Sequence, residues 1–254
     1  MSFLSGRFHA VAHRGGATYP PNVGHENTLT AFQTAVTLGY RYLETDIHTT
    51  ADGVAVAFHD PFLDRVTEGR GAIADHSYRE LRAVRVGGDY AIPRLDELLD
   101  GFDQVNFNLD MKSPGSVAAL VDVLNRTRAE DRVCVTSFSQ RRLDEFRARF
   151  GRPVTTGAGT AVIAAQLAAF TFGVRRNLSS ASVLQVPVSQ GPIRVLTRRF
   201  VDGAHAAGLK VHVWTIDDPA QMGELIDLGV DGIMSDRIDV LKAVLIERGL
   251  WEDG

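Results

Sequence analysis

The chain holds a single cysteine, Cys134, so no disulfide framework can form within it. The apolar run around it, Arg132 to Val135, points to a buried thiol, not a nucleophile. No stretch of about 18 apolar residues occurs, which excludes a transmembrane helix. Met1 to Phe8 lacks the continuous apolar core of a signal peptide, so a cytoplasmic protein is expected. Charge of one sign is missing as well: 27 Lys plus Arg stand against 31 Asp plus Glu, a net charge of -4. That balance leaves no basic footprint for nucleic acid or an anionic membrane. The arginine pairs Arg141-Arg142, Arg175-Arg176 and Arg198-Arg199 read as solvated surface. No Gly-x-Gly-x-x-Gly follows an early strand, so the dinucleotide fingerprint is absent.

What the chain does have is a regular alternation. With 44% hydrophobic residues over 254 positions it can bury one large core. Short apolar runs suited to strands occur at Phe8 to Ala12, Tyr40 to Ile47, Val105 to Met111, Val133 to Ser137, Pro153 to Thr156, Val183 to Val186, Lys210 to Trp214 and Val230 to Met234. Helical periodicity fills the gaps between them. Eight strand-then-helix units in roughly 250 residues predict an α/β fold, a (β/α)8 TIM barrel, as a single domain over residues 1–254. An open doubly wound sheet is the competitor. Such a sheet gathers its site at one crevice, whereas here distinctive polar residues follow several different strands. An extra strand, Val54 to Phe58, forms a hairpin with the second strand through the Asp52-Gly53 turn. Residues of about 61–90 then interrupt the alternation and predict a small insertion or lid after the second strand unit, with Phe62 and Leu63 as apolar rim residues.

Polar chemistry begins where the strands stop. The first leads into His13-Arg14-Gly15-Gly16, the second carries Glu44 and Asp46, and its hairpin partner ends in His59-Asp60. The third carries Asn108, Asp110 and Lys112 at alternating positions, hence on one face. Gln185 lies on the sixth strand, His212 and Trp214 on the seventh, and Asp236-Arg237 follow the last. Carboxylate oxygens suit magnesium, calcium or manganese. A carboxylate-bound divalent ion beside Arg14 and Lys112 suits the oxygens of a phosphoryl group. Two histidines on separate strands can then divide acid and base duties. Plainer explanations exist for several of these residues: Asp110 and Lys112 as a buried ion pair, Trp214 as packing, Gln185 as a partner for backbone groups. His9, His48, His205 and His212 read as structural.

Taken in order, His13-Arg14-Gly15-Gly16, Glu26-Asn27-Thr28, Glu44-x-Asp46, Asp52-Gly53, His59-Asp60 and Asn108-Leu109-Asp110-Met111-Lys112 resemble the motifs of the glycerophosphodiester phosphodiesterases. The later segments VHVWTIDDP and GVDGIMSD are similar to that family's ending, so the resemblance spans His13 to Asp236. It implies metal-dependent hydrolysis of glycerophosphodiesters to sn-glycerol 3-phosphate and an alcohol. Glu44, Asp46 and Asp110 would be the ligands of one divalent cation, magnesium or calcium with manganese as an alternative. His13 and His59 would be the general acid/base pair, and Arg14 and Lys112 would contact phosphate. Glu26 would lie near the metal and glycerol site, Asn27 would order the loop and touch phosphate, and Trp214 would line the substrate pocket, with Gln185 beside it. Asp110 stands where the family commonly has Glu, and Asp64 to Gly69 departs from its usual loop. Asp60 is expected to order its loop. The expected partner is a small-molecule glycerophosphodiester, with no nucleic acid and no stable membrane association. Two alternatives keep the same barrel: phospholipase-D-like cleavage of a lysophospholipid or sphingolipid through a cyclic phosphate, and a non-catalytic barrel that binds phosphorylated ligands.

Overall fold

Alternating apolar residues build eight parallel strands: β1 His9–His13, β2 Tyr42–Thr49, β3 Asn106–Met111, β4 Val133–Thr136, β5 Thr155–Thr156, β6 Val183–Val186, β7 Lys210–Val213 and β8 Gly232–Ser235. The computed structural model describes residues 3–252, so the ends of the domain expected over 1–254 lie outside the described residues. The strands pair in the order β5-β4-β3-β2-β1-β8-β7-β6. At the two ends of that path the Ser182 N–H donates to the Thr156 carbonyl at 2.8 Å, which nearly closes the sheet on itself. Helices alternate with the strands: α1 Leu29–Thr37, α2 Tyr78–Leu81, α3 Leu95–Gly101, α4 Ser116–Thr127, α5 Gln140–Phe150, α6 Thr160–Thr171, α7 Arg198–Ala206, α8 Pro219–Leu228 and α9 Ile238–Glu247. The architecture is the (β/α)8 barrel.

Strand parity divides the core. Leu43, Ile47, Phe107, Leu109, Val135 and Ile233 pack outward against the helices, in one large cluster. Val11, Tyr42, Cys134, Val183 and Met234, of the opposite parity, form a separate cluster closed by Phe3. Cys134 is fully buried in it, and burial pushes its thiol pKa up. Only β6 keeps its expected bounds; the other seven strands shift by one or two residues at an end, and two of the shifts have a readable cause. β2 runs on to Thr49 because the hairpin strand Ala55–Ala57 pairs antiparallel with Ile47, His48 and Thr49. β5 begins at Thr155 and not Pro153, which has no N–H to give a ladder.

The segment of about 61–90 has a core of its own. Leu63, Ile73, Leu81 and Val86 pack on Val56 and Phe58 of the hairpin. Leu63 is thus buried at 1% exposure, and of the two expected rim residues only Phe62, at 55%, reaches solvent. Among the described residues no helix is long and apolar enough to cross a membrane.

Candidate active site

The turn after β1 brings the first site residues to the barrel mouth. Arg14, Gly15 and Gly16 are three successive left-handed residues, with φ of 51°, 83° and 91°. A Cβ on Gly15 would lie 2.9 Å from the Ala31 carbonyl carbon in α1, so only glycine permits this approach. Arg14 has no such freedom and is strained there. Asn27 is also left-handed, φ 60°, a conformation Asn tolerates better. Its N–H donates to the Arg14 carbonyl at 3.0 Å. Thr28 then caps α1, Oγ1 accepting from the Ala31 N–H at 3.2 Å.

Register gathers the carboxylates. His13 lies beside Glu44, Glu44 beside Asn108, and Asp46 beside Asp110. Glu44, Asp46 and Asp110 are all buried. Lys112 Nζ lies 2.6 Å from Asp110 Oδ2 and 2.8 Å from Asp46 Oδ1. Arg14 Nε is 3.2 Å from Asp46 Oδ2, and its backbone N–H donates to Glu44 Oε2 at 3.1 Å. Asn27 Nδ2 donates to Asp46 Oδ2 at 3.0 Å, while its Oδ1 accepts from Thr45 Oγ1 at 2.8 Å. Burial works to raise the Asp46 pKa, but Lys112 and Arg14 outweigh it and hold the group below the usual carboxylate range. Glu44 goes the other way, pushed up to about 7 by burial and by the Asp46 charge. Burial raises Asp110 too, against the pull of Lys112.

With Glu44 ionised, the three carboxylates against the two cations Arg14 and Lys112 leave one negative charge over. Asp110 Oδ1 is buried without a hydrogen-bond partner, and Asp46 Oδ1 meets only the Lys112 ammonium, outside hydrogen-bond geometry. An all-oxygen set with spare lone pairs and excess negative charge has the donor chemistry of a hard divalent cation. Among the described residues no three His, Cys, Asp or Glu side chains are placed as a ready ligand cluster, and Lys112 contacts both aspartates instead.

Each candidate histidine is anchored on a carboxylate. His13 Nδ1 bonds Asp236 Oδ1 at 2.8 Å, and its Nε2 lies 3.7 Å from Glu44 Oε2. Burial lowers the His13 pKa, but Glu44 and Asp236 together outweigh it, and the net shift is upward. His59 Nδ1 bonds Asp60 Oδ1 at 2.5 Å, and the His59 carbonyl accepts from His48 Nε2 at 3.0 Å. Arg65 braces this arm from the insertion: Nε bonds Asp60 Oδ2 at 2.5 Å and its other nitrogens bond Glu26 at 2.6 and 3.1 Å. Asp60 is held low in pKa, burial being outweighed by Arg65 and His59. Glu26 also receives Arg14 Nη1 at 3.2 Å.

His13, Arg14, Glu44, His59, Asp110 and Lys112 line one cavity of about 500 Å³. Gln185 and Trp214 line it as well; Gln185 Nε2 donates to Asn108 Oδ1 at 2.7 Å, and Trp214 packs edge-on to Phe138. Glu26 and Asp46 are off the lining and act on it through Arg14 and Lys112, and Asn27 acts through Asp46. His9 and His212 are buried and bond one another at 2.7 Å, away from that lining.

Asp236 stood among the polar strand-end residues without a role, and Arg65 and the cavity's apolar wall did not emerge from the sequence patterns as site residues. Asp236 had a signal: closing a barrel sets β8 beside β1, with Ala12 opposite Ser235, so the residue after Ser235 falls next to His13. Arg65 had only its place six residues after His59. The apolar wall comes from α6 and from Ile193, far from any polar motif.

A model described as the glycerophosphoryl diester phosphodiesterase family matches residues 13–240. A Mycobacterium tuberculosis protein named "Probable glycerophosphodiester phosphodiesterase 2" is 38% identical over 247 residues, covering 96% of this chain and 92% of that one. A Bacillus subtilis glycerophosphodiester phosphodiesterase is 25% identical over 94% of this chain and 86% of its own. Among solved structures, an Oleispira antarctica phosphodiesterase in complex with the product sn-glycerol-3-phosphate superposes with a TM-score of 0.79 at 25% identity, covering 94% of this chain and 96% of that one.

Proposed function

The chain belongs to the glycerophosphoryl diester phosphodiesterase family, and from that premise we infer how its side chains share the hydrolysis of a glycerophosphodiester to sn-glycerol 3-phosphate and an alcohol. One observation carries the reading: His13 and His59, each tied through Nδ1 to a carboxylate, line a single cavity with Arg14, Glu44, Asp110 and Lys112. An Nδ1–H held by a carboxylate fixes the tautomer and leaves Nε2 to take or return a proton. One imidazole draws the proton from the attacking water, and the other delivers a proton to the departing alcohol oxygen. Asp236 and Asp60 keep the two rings aimed. Arg14 and Lys112 hold the phosphate oxygens, Arg14 being kept in place by Asp46 and Glu26. Trp214 and Gln185 line the same cavity, Gln185 beside Asn108. The insertion of about 61–90 serves the mouth through Arg65, which ties Glu26 to the His59 arm.

Glu44, Asp46 and Asp110 are the residues that would hold one divalent cation, magnesium or calcium with manganese as an alternative. When bound, such an ion neutralises charge developing on phosphoryl oxygens. The charge count supports this. With Glu44 ionised, as a bound cation would favour, three carboxylates with Arg14 and Lys112 sum to -1, a divalent ion would bring the sum to +1, and a phosphodiester is a monoanion.

The test is glycerophosphocholine hydrolysis, followed by release of choline and sn-glycerol 3-phosphate, with and without EDTA. Chelation should abolish turnover, and magnesium or calcium should restore it. Turnover that survives thorough chelation would sink the cation assignment, and a cyclic phosphate as the final product would sink direct hydrolysis.

A further inference from the structure

Two arginine pairs far apart in the sequence, Arg175-Arg176 and Arg198-Arg199, meet in the folded chain. Although the whole chain has a net charge of -4, the segment from Phe146 to Val201 holds eight Arg and no Asp or Glu. Arg147, Arg149 and Arg152 reach carboxylates that lie before the segment, on Asp144, Glu145 and Glu130. Among the described residues Arg175, Arg176, Arg194, Arg198 and Arg199 make no ion pair, and the last three bond carbonyl oxygens instead. Asp202, the first acid beyond the segment, is exposed and pairs with none of them. Cations gathered without counter-charge repel one another, and an anion relieves that. One residue of each pair, Arg175 and Arg199, lines a second cavity of about 310 Å³ between the end of α6 and α7, together with Phe170, Phe172 and Gly203. No carboxylate lines it, and it shares no residue with the active cavity.

The walls of this cavity are set in advance. Arg199 Nη1 donates to the Thr171 carbonyl at 3.0 Å, which fixes the guanidinium beside the end of α6 and leaves its remaining N–H groups for a ligand. Gly203 lets α7 press close, since a Cβ there would lie 2.7 Å from the Phe170 ring. The loop that carries Arg175 is held on both sides. Before it, the Gly173 N–H donates to the Phe170 carbonyl at 3.1 Å and the Val174 N–H to the Ala169 carbonyl at 2.8 Å. After it, Gln166 of α6 takes over: Nε2 donates to the Arg176 carbonyl at 2.9 Å, and Oε1 accepts from the Leu178 N–H at 3.0 Å. Burying an amide costs stability unless it is paired, and this pairing turns the Gln166 side of α6 inward. Phe172 stands at the rim with 85% exposure.

We propose that this second cavity binds a phosphate monoester, its oxygens between the guanidiniums of Arg175 and Arg199 and the group it is esterified to against Phe172. The planar fork of arginine matches phosphate oxygens two at a time. A monoester is close to a dianion at neutral pH, so it offsets both guanidinium charges, which a diester does not. Because the loop and Arg199 are already fixed, binding has little left to order. The site takes no part in hydrolysis and stands whether or not the active cavity is read correctly. Such a group reaches the site from two sources: a soluble ester such as sn-glycerol 3-phosphate, or the headgroup of phosphatidic acid in a lipid surface.

Two probes distinguish the sources. Calorimetric titration with sn-glycerol 3-phosphate reads the soluble one, and cosedimentation with phosphatidylcholine vesicles, with and without phosphatidic acid, reads the lipid one. Each is run on the wild type, on Arg175→Gln and Arg199→Gln singly, and on the double variant, with the far-UV spectrum and melting temperature checking the fold. In the responding arm each single variant should weaken binding about tenfold or more, and the double variant should lose the site while any binding in the active cavity remains. Arg175→Lys, which keeps the charge and loses the fork, should fall between wild type and Arg175→Gln. Glycerophosphocholine kinetics should be unchanged in Arg175→Gln. No response to either probe, or a response that the folded double variant keeps in full, would overturn the site. Vesicle binding that ignores phosphatidic acid, with no soluble response, would overturn it too.

Discussion

The buried pair His9 and His212 makes this barrel acid-sensitive, and the size of the effect follows from its surroundings. The two rings bond at 2.7 Å, with Phe3 and Tyr42 packed on His9 and Gln185 near His212. Burial lowers His9 to about 4, with Lys210 adding to it and Asp231 and Glu252 opposing. Burial, then His9 itself, lowers His212 to about 3. Both folded-state values lie below the ordinary 6.5, so between them the unfolded chain binds more protons and stability rises with pH. The contribution is complete above about pH 6.5 and is lost as pH falls toward the folded values. At about 1.4 kcal/mol per pKa unit, going from pH 7.5 to pH 5 removes about 2 kcal/mol for each ring, or about 4 kcal/mol for the pair. That is a large share of a typical domain's stability. The perturbation is the double variant His9→Gln/His212→Gln, which keeps polar groups in place and removes both titrations. Urea unfolding followed by circular dichroism gives ΔG at each pH. The variant should start less stable at pH 7.5, yet its ΔG should fall less steeply toward pH 5, by about 4 kcal/mol over that interval. Parallel wild-type and variant profiles would refute the argument.

Other residues give sharper functional readouts. His13→Ala and His59→Ala should each cut turnover on glycerophosphocholine by about 100- to 10,000-fold with the far-UV spectrum unchanged; normal kinetics in either would remove that ring from proton transfer. Asp60→Asn and Asp236→Asn should lower kcat by up to about 100-fold through misaimed imidazoles while KM stays near wild type, and Asp60→Glu should recover part of the loss. A rise in KM with kcat intact would assign these aspartates to substrate binding instead. Asp110→Ala should weaken manganese binding, measured by calorimetry, by more than about tenfold. It should also cut the stabilisation that the ion gives the wild type at 100 times its dissociation constant from about 2.7 kcal/mol to about 1.4 kcal/mol or less.

The barrel was readable because its signal repeats: eight apolar runs, each followed by a helical pattern, survive errors of a residue or two at their ends. β2 and β5 show the limit, since a hairpin partner extends one and Pro153 shortens the other. The carboxylates were readable for a related reason. Alternation puts Glu44 with Asp46, and Asp110 with Lys112, on one face before any partner strand is known. Residues that act across the chain were harder. Asp236 meets His13 only because the last strand closes onto the first, and Arg65 meets Glu26 only because the insertion folds back over the mouth. α6 was legible only as one of the helical stretches between strands. Which way it faces is decided by Gln166 and two backbone groups beyond its end, and no periodicity reports that.

Strain and unpaired charge concentrate where the chemistry is, and Asn27 shows how the fold sustains them. A left-handed Arg14 costs about 1–3 kcal/mol, and a carboxylate such as Asp46 is costly to bury unless paired. Asn27 meets both demands from outside the cavity lining. Its backbone N–H holds the Arg14 carbonyl, its Nδ2 holds Asp46, and its Oδ1 is fixed by Thr45 of the same strand. The cationic arm and the central carboxylate are thereby set at a fixed separation by one side chain that belongs to neither. Asp110 Oδ1 has no hydrogen-bond partner among the described residues, and the raised Glu44 is held only by the Arg14 backbone N–H with His13 at 3.7 Å. The site is thus rigid on the side that grips phosphate and electrostatically incomplete on the side where a cation would complete it.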